Sequence, residues 1–394
     1  MKWIEIEPLA IEIKGDDYIR RCNIKRFDGT TLKNQKELWF QFSRSLMPPD
    51  DTDCDSYLLS VIMMAMQEDR NIHVKGKVSH QLLSNLIEYQ AAWNKWLPGT
   101  YRCVEITVDE IKEDEVAVPG AVCAFSGGVD ATFSVWRHSQ KRWSYRSQDI
   151  QLCSLVHGFD IPLSDEATFR DVKKKAGKTL QDIQLGLVPI RTNYRSVINV
   201  NWEHIFSCAL TATLSNFKNV AGTCIIGSSE PYNSLVIPWG SSPITDHLLS
   251  SGTFKVIHDG ASHSRTEKVK EITDWEVGVQ NLRVCWEGGK DSNCGKCEKC
   301  LRTKLNFLAT TSSVPGCFPN STISDDLNNV VLRNEAVRAE WRQIYEYAKE
   351  HNIHDPWVKQ ISKVLSRRSQ IFDRISTYKT RSKKFLRYIL KQAH

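Results

Sequence analysis

The sequence predicts an α/β protein: a doubly wound, mostly parallel sheet, preceded by an N-terminal α+β unit and followed by a helical C-terminal extension. Three observations carry this. Between residues 118 and about 315, short apolar runs alternate with helical patterns, the βα order that builds parallel sheets. Before that stretch come several strand-like runs and two helical ones. After about residue 322 only helical spacing remains. The expected units are 1–117, 118–318 and 319–394.

In the first unit, Trp3–Ile13, Ile19–Phe27 and Glu37–Phe42 have strand-like composition. Asp55–Asp69 is helical in composition and spacing. Ser79–Leu97 opens on an N-cap serine and repeats Leu82, Leu83, Leu86, Tyr89 and Trp93 at helical spacing, and Pro98-Gly99 ends it. Tyr101–Val108 alternates as a strand does. No catalytic motif lies here; Trp93 and Trp96 could line a pocket, but core or interface aromatics are the commoner outcome. In the second unit AVCAF, LCSLV and LGLVPI each lead into a helix, and GTCIIG leads into a loop. In the third, Val337, Trp341, Ile344 and Tyr347 mark a helix over Glu335–Lys349, and Asp355-Pro356 starts another.

Composition bounds the function. No run approaches ~18 uncharged apolar residues, so no transmembrane helix is expected. The opening residues carry acids where a leader needs an apolar stretch, so a cytoplasmic protein without a membrane partner is expected. The net charge of +6 is uneven: from Lys359 onward there are eleven Lys or Arg against one acid, Asp373. A basic helical segment of this kind could contact RNA phosphates, although a solvated basic face is the commoner outcome.

The most informative segment is AVCAFSGGVDATFSVW, residues 121–136. An apolar strand runs straight into Ser126-Gly127-Gly128-Val129-Asp130, and a helix-compatible stretch follows. Glycines let the backbone approach a phosphate, successive N–H groups point into one concavity, and the helix N-terminus adds its positive end. Ser126 and Thr132 can donate hydroxyl hydrogen bonds. Asp130 suits a role through Mg²⁺ rather than direct contact with phosphate. The chain has neither GxxxxGK[ST] nor the dinucleotide GxGxxG.

Twelve cysteines divide into eight scattered singly and four close together, Cys285, Cys294, Cys297 and Cys300. Four thiolates at this spacing suit a closed, tetrahedral Zn²⁺ site, with an iron–sulfur cluster as the rival. Lys290, Lys296, Lys299 and Arg302 would soften its negative charge. A second GGxDS match, within Glu287–Ser292, reads as a loop inside this site. Further polar runs follow the strands: Val156–Pro162, Gly227–Glu230, Ser241–His247 and His263–Lys268. From them Asp160, Asp246, His247 and Arg265 are expected to line a substrate pocket. Lys268 and His157 are expected beside Asp130 in the chemistry, His157 because imidazole titrates near neutrality.

The loop resembles the SGGxDS phosphate loop of the N-type ATP pyrophosphatases, which include asparagine synthetases, GMP synthetases and tRNA-thiolating enzymes. Ala131 stands where that motif has its second serine, and Thr132 follows. The loop together with Cys294-Gly-Lys-Cys297-Glu-Lys-Cys300-Leu-Arg302 resembles the 7-cyano-7-deazaguanine synthases over roughly residues 118–315. The resemblance implies a HUP-like domain that binds ATP and Mg²⁺ through Ser126, Gly127, Gly128, Val129, Asp130 and Thr132. It implies adenylation of a deazapurine carboxylate, release of pyrophosphate, and amide then nitrile formation with ammonia or another amine. The longer architecture resembles relatives in bacterial antiphage gene clusters, where a protein partner from the same cluster is expected. Two alternatives stay open: the same chemistry on a protein or RNA acceptor, and a nucleotide-binding module that Ala131 has deprived of turnover.

Overall fold

Alternation in the first forty residues produces a meander. β1 (Lys2–Lys14), β2 (Asp17–Asp28) and β3 (Thr31–Ser43) pair antiparallel in sequence order. β3 starts six residues before the expected run. Its first half pairs with β2, but the Leu32–Lys36 side chains are exposed, so no apolar alternation marks it. The chain then crosses over through α1 (Asp55–Glu68) to β4 (Asn71–Ser79), and through α2 (His80–Trp96) to β5 (Ile106–Lys112). β1, β4 and β5 run parallel, so this segment is itself partly wound. Ser79 caps α2 as expected, its hydroxyl accepting from Leu82 N–H at 3.3 Å. Trp93 is fully buried against Tyr101 and His204, a core residue.

The computed structural model describes residues 1–113, 116–285, 292–319 and 323–367. From residue 121 the βα alternation follows: β6 (Ala121–Ala124), α3 (Val129–Ser139), β7 (Ile150–His157), α4 (Glu166–Gln181) and β8 (Leu187–Thr192). Then come α5 (Tyr194–Val197), α6 (Trp202–Leu214), β9 (Thr223–Gly227), β10 (Lys255–Asp259), α7 (Arg265–Ile272) and α8 (Glu276–Gln280). The chain closes with α9 (Glu298–Thr311), α10 (Ile323–Leu327), α11 (Glu335–Glu350) and α12 (Pro356–Ser366).

One ten-stranded sheet holds all the strands, in the order β10-β9-β6-β7-β8-β3-β2-β1-β4-β5. β6 to β10 are mutually parallel, and their order is that of Rossmann-like doubly wound sheets. The order in which strands are added reverses between β6 and β9, so the crevice beyond their carboxyl ends is the expected ligand position. β3 joins β8 antiparallel through Phe40–Thr192 and Phe42–Ile190. Strands on both sides of the expected 117/118 boundary therefore share one sheet.

Alternate residues of the central strands feed different layers. Val122, Cys224 and Ile226 pack towards α1, α2 and α6, whereas Ala121, Cys123 and Ile225 pack towards α3 and α4. Burial on both faces explains why these strands read as continuous apolar runs. In the C-terminal extension, Trp341, Ile344 and Ile361 pack on Leu301 and Leu305 of α9. That extension therefore shares a core with the helix that carries the cysteines. Among the described residues no helix is long and apolar enough to cross a membrane. Of the eleven basic residues from Lys359 onward, Lys359, Lys363 and Arg367 are described, and residues 368–394 lie outside the described residues.

Candidate active site and metal centre

β6 ends at Ala124, and after four intervening residues α3 begins, with Gly128 at its N-cap and no side chain capping it. The first N–H groups of α3 are thus not claimed by a capping side chain. Gly127 sits at φ +77°, which an L side chain adopts only with strain, and its carbonyl accepts from Arg283 N–H at 2.8 Å. Ser126 Oγ accepts from Gly128 N–H at 3.4 Å. Thr132 is buried in the first turn. α3 is also tied to β10. The Asp259 carboxylate meets Ser134 Oγ at 2.7 Å, His138 Nε2 at 3.2 Å and the Arg137 guanidinium. Burial alone would raise this carboxyl, but His138, Arg137 and Ser134 hold it at about 2.

The loop opens on a cavity of about 280 Å³. Ser126, Gly128, Asp130 and Ala131 form one end, with Arg265, Arg283, Lys299 and Asp160 around it. Phe159, Trp202, Phe206 and Leu210 supply an apolar, largely aromatic wall. Loop backbone, cations and flat apolar surface lining one cavity make a site that can take a phosphate-bearing aromatic molecule. Ser154 Oγ is buried in the lining and has no hydrogen-bond partner among the described residues.

Asp130 is the electrostatic centre. Its Oδ2 lies 2.8 Å from Arg265 Nη2 and its Oδ1 3.3 Å from Lys268 Nζ. Burial would raise its carboxyl, but Arg265, then Lys268 and Lys299, outweigh that and keep it below its ordinary value. Burial dominates in the other direction at Lys268 and pulls its ammonium below the usual lysine value. Lys268 also donates to Ser228 Oγ at 2.9 Å and to the Ser228 carbonyl at 2.5 Å.

The remaining expected site residues separate. Asp160 and Arg265 line the cavity. Asp246 and His247 are not among its lining residues. Asp246 is fully buried, accepting from Ser241 Oγ at 2.6 Å and Ser242 N–H at 3.1 Å, with His258 Nδ1 at 2.8 Å, while His247 is exposed. His157 also lies outside the lining. Its ring stacks on Phe169, its Nε2 is 2.9 Å from the Pro162 carbonyl, and burial lowers its basicity. Asp246 and His157 thus hold strand ends and loops together.

Sequence reading missed Arg283, Lys299 and Ser154. Lys299 lies inside a CxxC step and was expected only to offset thiolate charge. Arg302, given the same expectation, pairs with Glu298 and Glu340. Glu230 was also missed. Its Oε2 accepts from Val236 N–H at 2.9 Å, its Oε1 has no partner among the described residues, and burial pushes its carboxyl up to about 7. A folded-state value above the ordinary 4.5 means that stability is lost as pH rises from about 4.5 to 7. Glu230→Gln is therefore expected to raise stability at pH 8 by up to about 3 kcal/mol and to change little at pH 4. Thermal denaturation at the two pH values checks this; equal shifts at both would contradict it.

The four clustered cysteines converge. Their sulfurs all lie within 4.8 Å of one another, with Cys285–Cys297 at 3.8 Å and Cys294–Cys300 at 3.9 Å. Four thiolates at 2.3 Å from one tetrahedral ion would stand about 3.8 Å apart, so the set could hold a metal ion such as zinc. A polynuclear cluster needs wider spacing. The Cys300 thiol beside Cys297 lowers the latter from its ordinary value against the effect of burial. Lys296 and Cys297 N–H groups donate to Cys294 Sγ at 3.4 and 3.2 Å. Gly295 is at φ +74°, and a Cβ there would stand 2.8 Å from Pro319 Cγ, so the CGxC glycine is a steric requirement. Asn293 ties both arms: its Oδ1 accepts from Val284 and Cys285 N–H, and its Nδ2 donates to the Leu282 and Cys317 carbonyls. Residues 286–291, which hold most of the second GGxDS match, lie outside the described residues.

Compared with protein-family models, curated proteins and solved structures, the chain matches none of them.

Proposed function

We propose that the chain is an ATP pyrophosphatase that adenylates a carboxylate on a small, flat, deazapurine-like molecule and passes the acyl group to ammonia or another amine. The observation that carries this is the Ser126–Asp130 loop at the sheet's switch point, opening on a cavity that joins an uncapped helix N-terminus to an aromatic wall. In the proposed step a carboxylate oxygen of the acceptor bonds to the α-phosphorus of ATP. The α–β phosphoanhydride breaks and pyrophosphate leaves with the electron pair. The amine then attacks the acyl carbon and AMP departs. A second round of activation would remove the amide oxygen to give a nitrile.

The chain's part is alignment and charge neutralisation rather than acid–base catalysis. Backbone N–H groups of the loop and the Arg265, Arg283 and Lys299 cations that line the cavity would face the departing phosphates, while Lys268, outside the lining, holds Asp130 and Ser228. Asp130 would hold Mg²⁺, which neutralises phosphate charge when bound. Thr132 is buried, so hydroxyl donation falls to Ser126 at the cavity edge. Zn²⁺ in the four-cysteine site would be structural, since four protein thiolates leave no vacancy for water. The same reading extends to antiphage defence with a protein partner encoded nearby.

Incubation of the purified protein with ATP, Mg²⁺, ammonium and 7-carboxy-7-deazaguanine, followed by mass spectrometry of the base, tests the acceptor. An amide or nitrile is expected. Unchanged base alongside AMP formation would instead move the acceptor to a protein or RNA.

A further inference from the structure

The C-terminal extension reaches the phosphate site through one carboxylate. Glu340, on α11, is 8% exposed. Its Oε2 lies 2.6 Å from Arg265 Nε, and its Oε1 pairs with the Arg302 guanidinium. A second nitrogen of Arg265, Nη2, the donor beside Nε, meets Asp130 Oδ2 at 2.8 Å. Arg302 Nε lies 3.1 Å from Glu298 Oε1, which also accepts from Trp341 Nε1 at 2.6 Å. An alternating series of charges, Asp130–Arg265–Glu340–Arg302–Glu298, thus runs from the phosphate loop through α7 and α11 to α9. That last helix starts after Cys297 and contains Cys300.

The arrangement answers a conflict within the site. A carboxylate engaged by Arg265 and Lys268 is poorly placed to take a divalent cation. Arg265 can release it only if its own charge, buried at 6% exposure, keeps a partner. Glu340 is that partner, and it binds Nε, a different nitrogen of the guanidinium from the one that meets Asp130. We propose that Glu340 is a positioning residue of the phosphate site: it holds Arg265 through Nε, so that Nη2 can pass from Asp130 to phosphate and release Asp130 Oδ2 to Mg²⁺. This rests on reading the loop as an ATP site. The C-terminal helices then complete that site.

The test uses the full chain with Glu340→Gln, Glu340→Asp, and Glu346→Gln as an exposed control on the same helix. Binding of a fluorescent N-methylanthraniloyl ATP is titrated with Mg²⁺, and separately measured without it. Glu340→Gln is expected to raise the Mg²⁺ midpoint by at least about 30-fold, the low end of the scale for losing one buried charge partner. Metal-free nucleotide binding should not weaken, because Arg265 and Arg302 then have one counter-charge fewer. Glu340→Asp should lie between, and Glu346→Gln should match wild type. An unchanged midpoint in Glu340→Gln overturns the proposal. So does a parallel loss of metal-free and Mg²⁺-dependent binding, which would mark Glu340 as structural only. Absence of nucleotide binding by the wild type would instead defeat the ATP-site reading itself.

Discussion

Asp130→Asn is expected to lower ATP-dependent pyrophosphate release by about 10²–10³-fold, the scale of losing one preorganised charge contact in a transition state. The substitution keeps shape and removes charge. It also strips a carboxylate from Arg265 and Lys268, but neither is left alone: Arg265 keeps Glu340, and Lys268 keeps Ser228. The fold should therefore survive, with a melting temperature only a few degrees lower. That separation is the useful part of the experiment. A loss of activity with folding retained points to the chemistry of Asp130. A collapse of both would mean that the ion-pair series is chiefly architectural. In cells, a gene cluster that protects against phage should lose protection with the same substitution.

Removal of a metal ion that the four cysteines could hold is the second large expected effect. Cys300→Ser, or chelation, is expected to release one ion per chain and to lower the melting temperature by at least about 10 °C, given the many kcal/mol that a four-thiolate site contributes. Cys300 is fully buried in α9, whose Leu301 and Leu305 also pack under Trp341. Loosening this helix therefore reaches the C-terminal extension. It also reaches the cavity, because Arg283 lies two residues before Cys285 and Lys299 lies between Cys297 and Cys300. Nucleotide affinity should fall together with metal content. Cys103→Ser, at an exposed cysteine outside the cluster, should change neither. An unchanged melting temperature after verified loss of metal would contradict the structural role.

How far the sequence could be read depended on distance along the chain. The phosphate loop is five consecutive residues between a strand and a helix, and the cysteines fall within sixteen residues. Both are local, and local spacing constrains geometry. Strand order is not local. Nothing in residues 31–43 announces that β3 will pair with β8 150 residues later. β4 went unread although Ile72, Val74 and Val78 alternate with polar residues, because glycine and lysines dilute the pattern. The polar segments after the strands were harder still. A polar residue at a strand end can face a cavity or satisfy buried backbone and side-chain groups, and composition does not separate the two. Arg265 and Asp160 face the cavity. Asp246 and His157 satisfy interior groups. Glu340 lies 210 residues from Asp130 on a helix with ordinary amphipathic spacing, so only the fold reveals its place.

The central claim is that the Ser126–Asp130 loop cleaves ATP between its α- and β-phosphates. The most direct measurement follows the nucleotide products of the purified chain with ATP, Mg²⁺ and carboxylate acceptors, for wild type and Asp130→Asn in parallel. AMP and pyrophosphate in equal amounts, formed by the wild type and lost in the variant, is the expected result. ADP and phosphate as the products, or equal AMP formation by both proteins, would contradict the account.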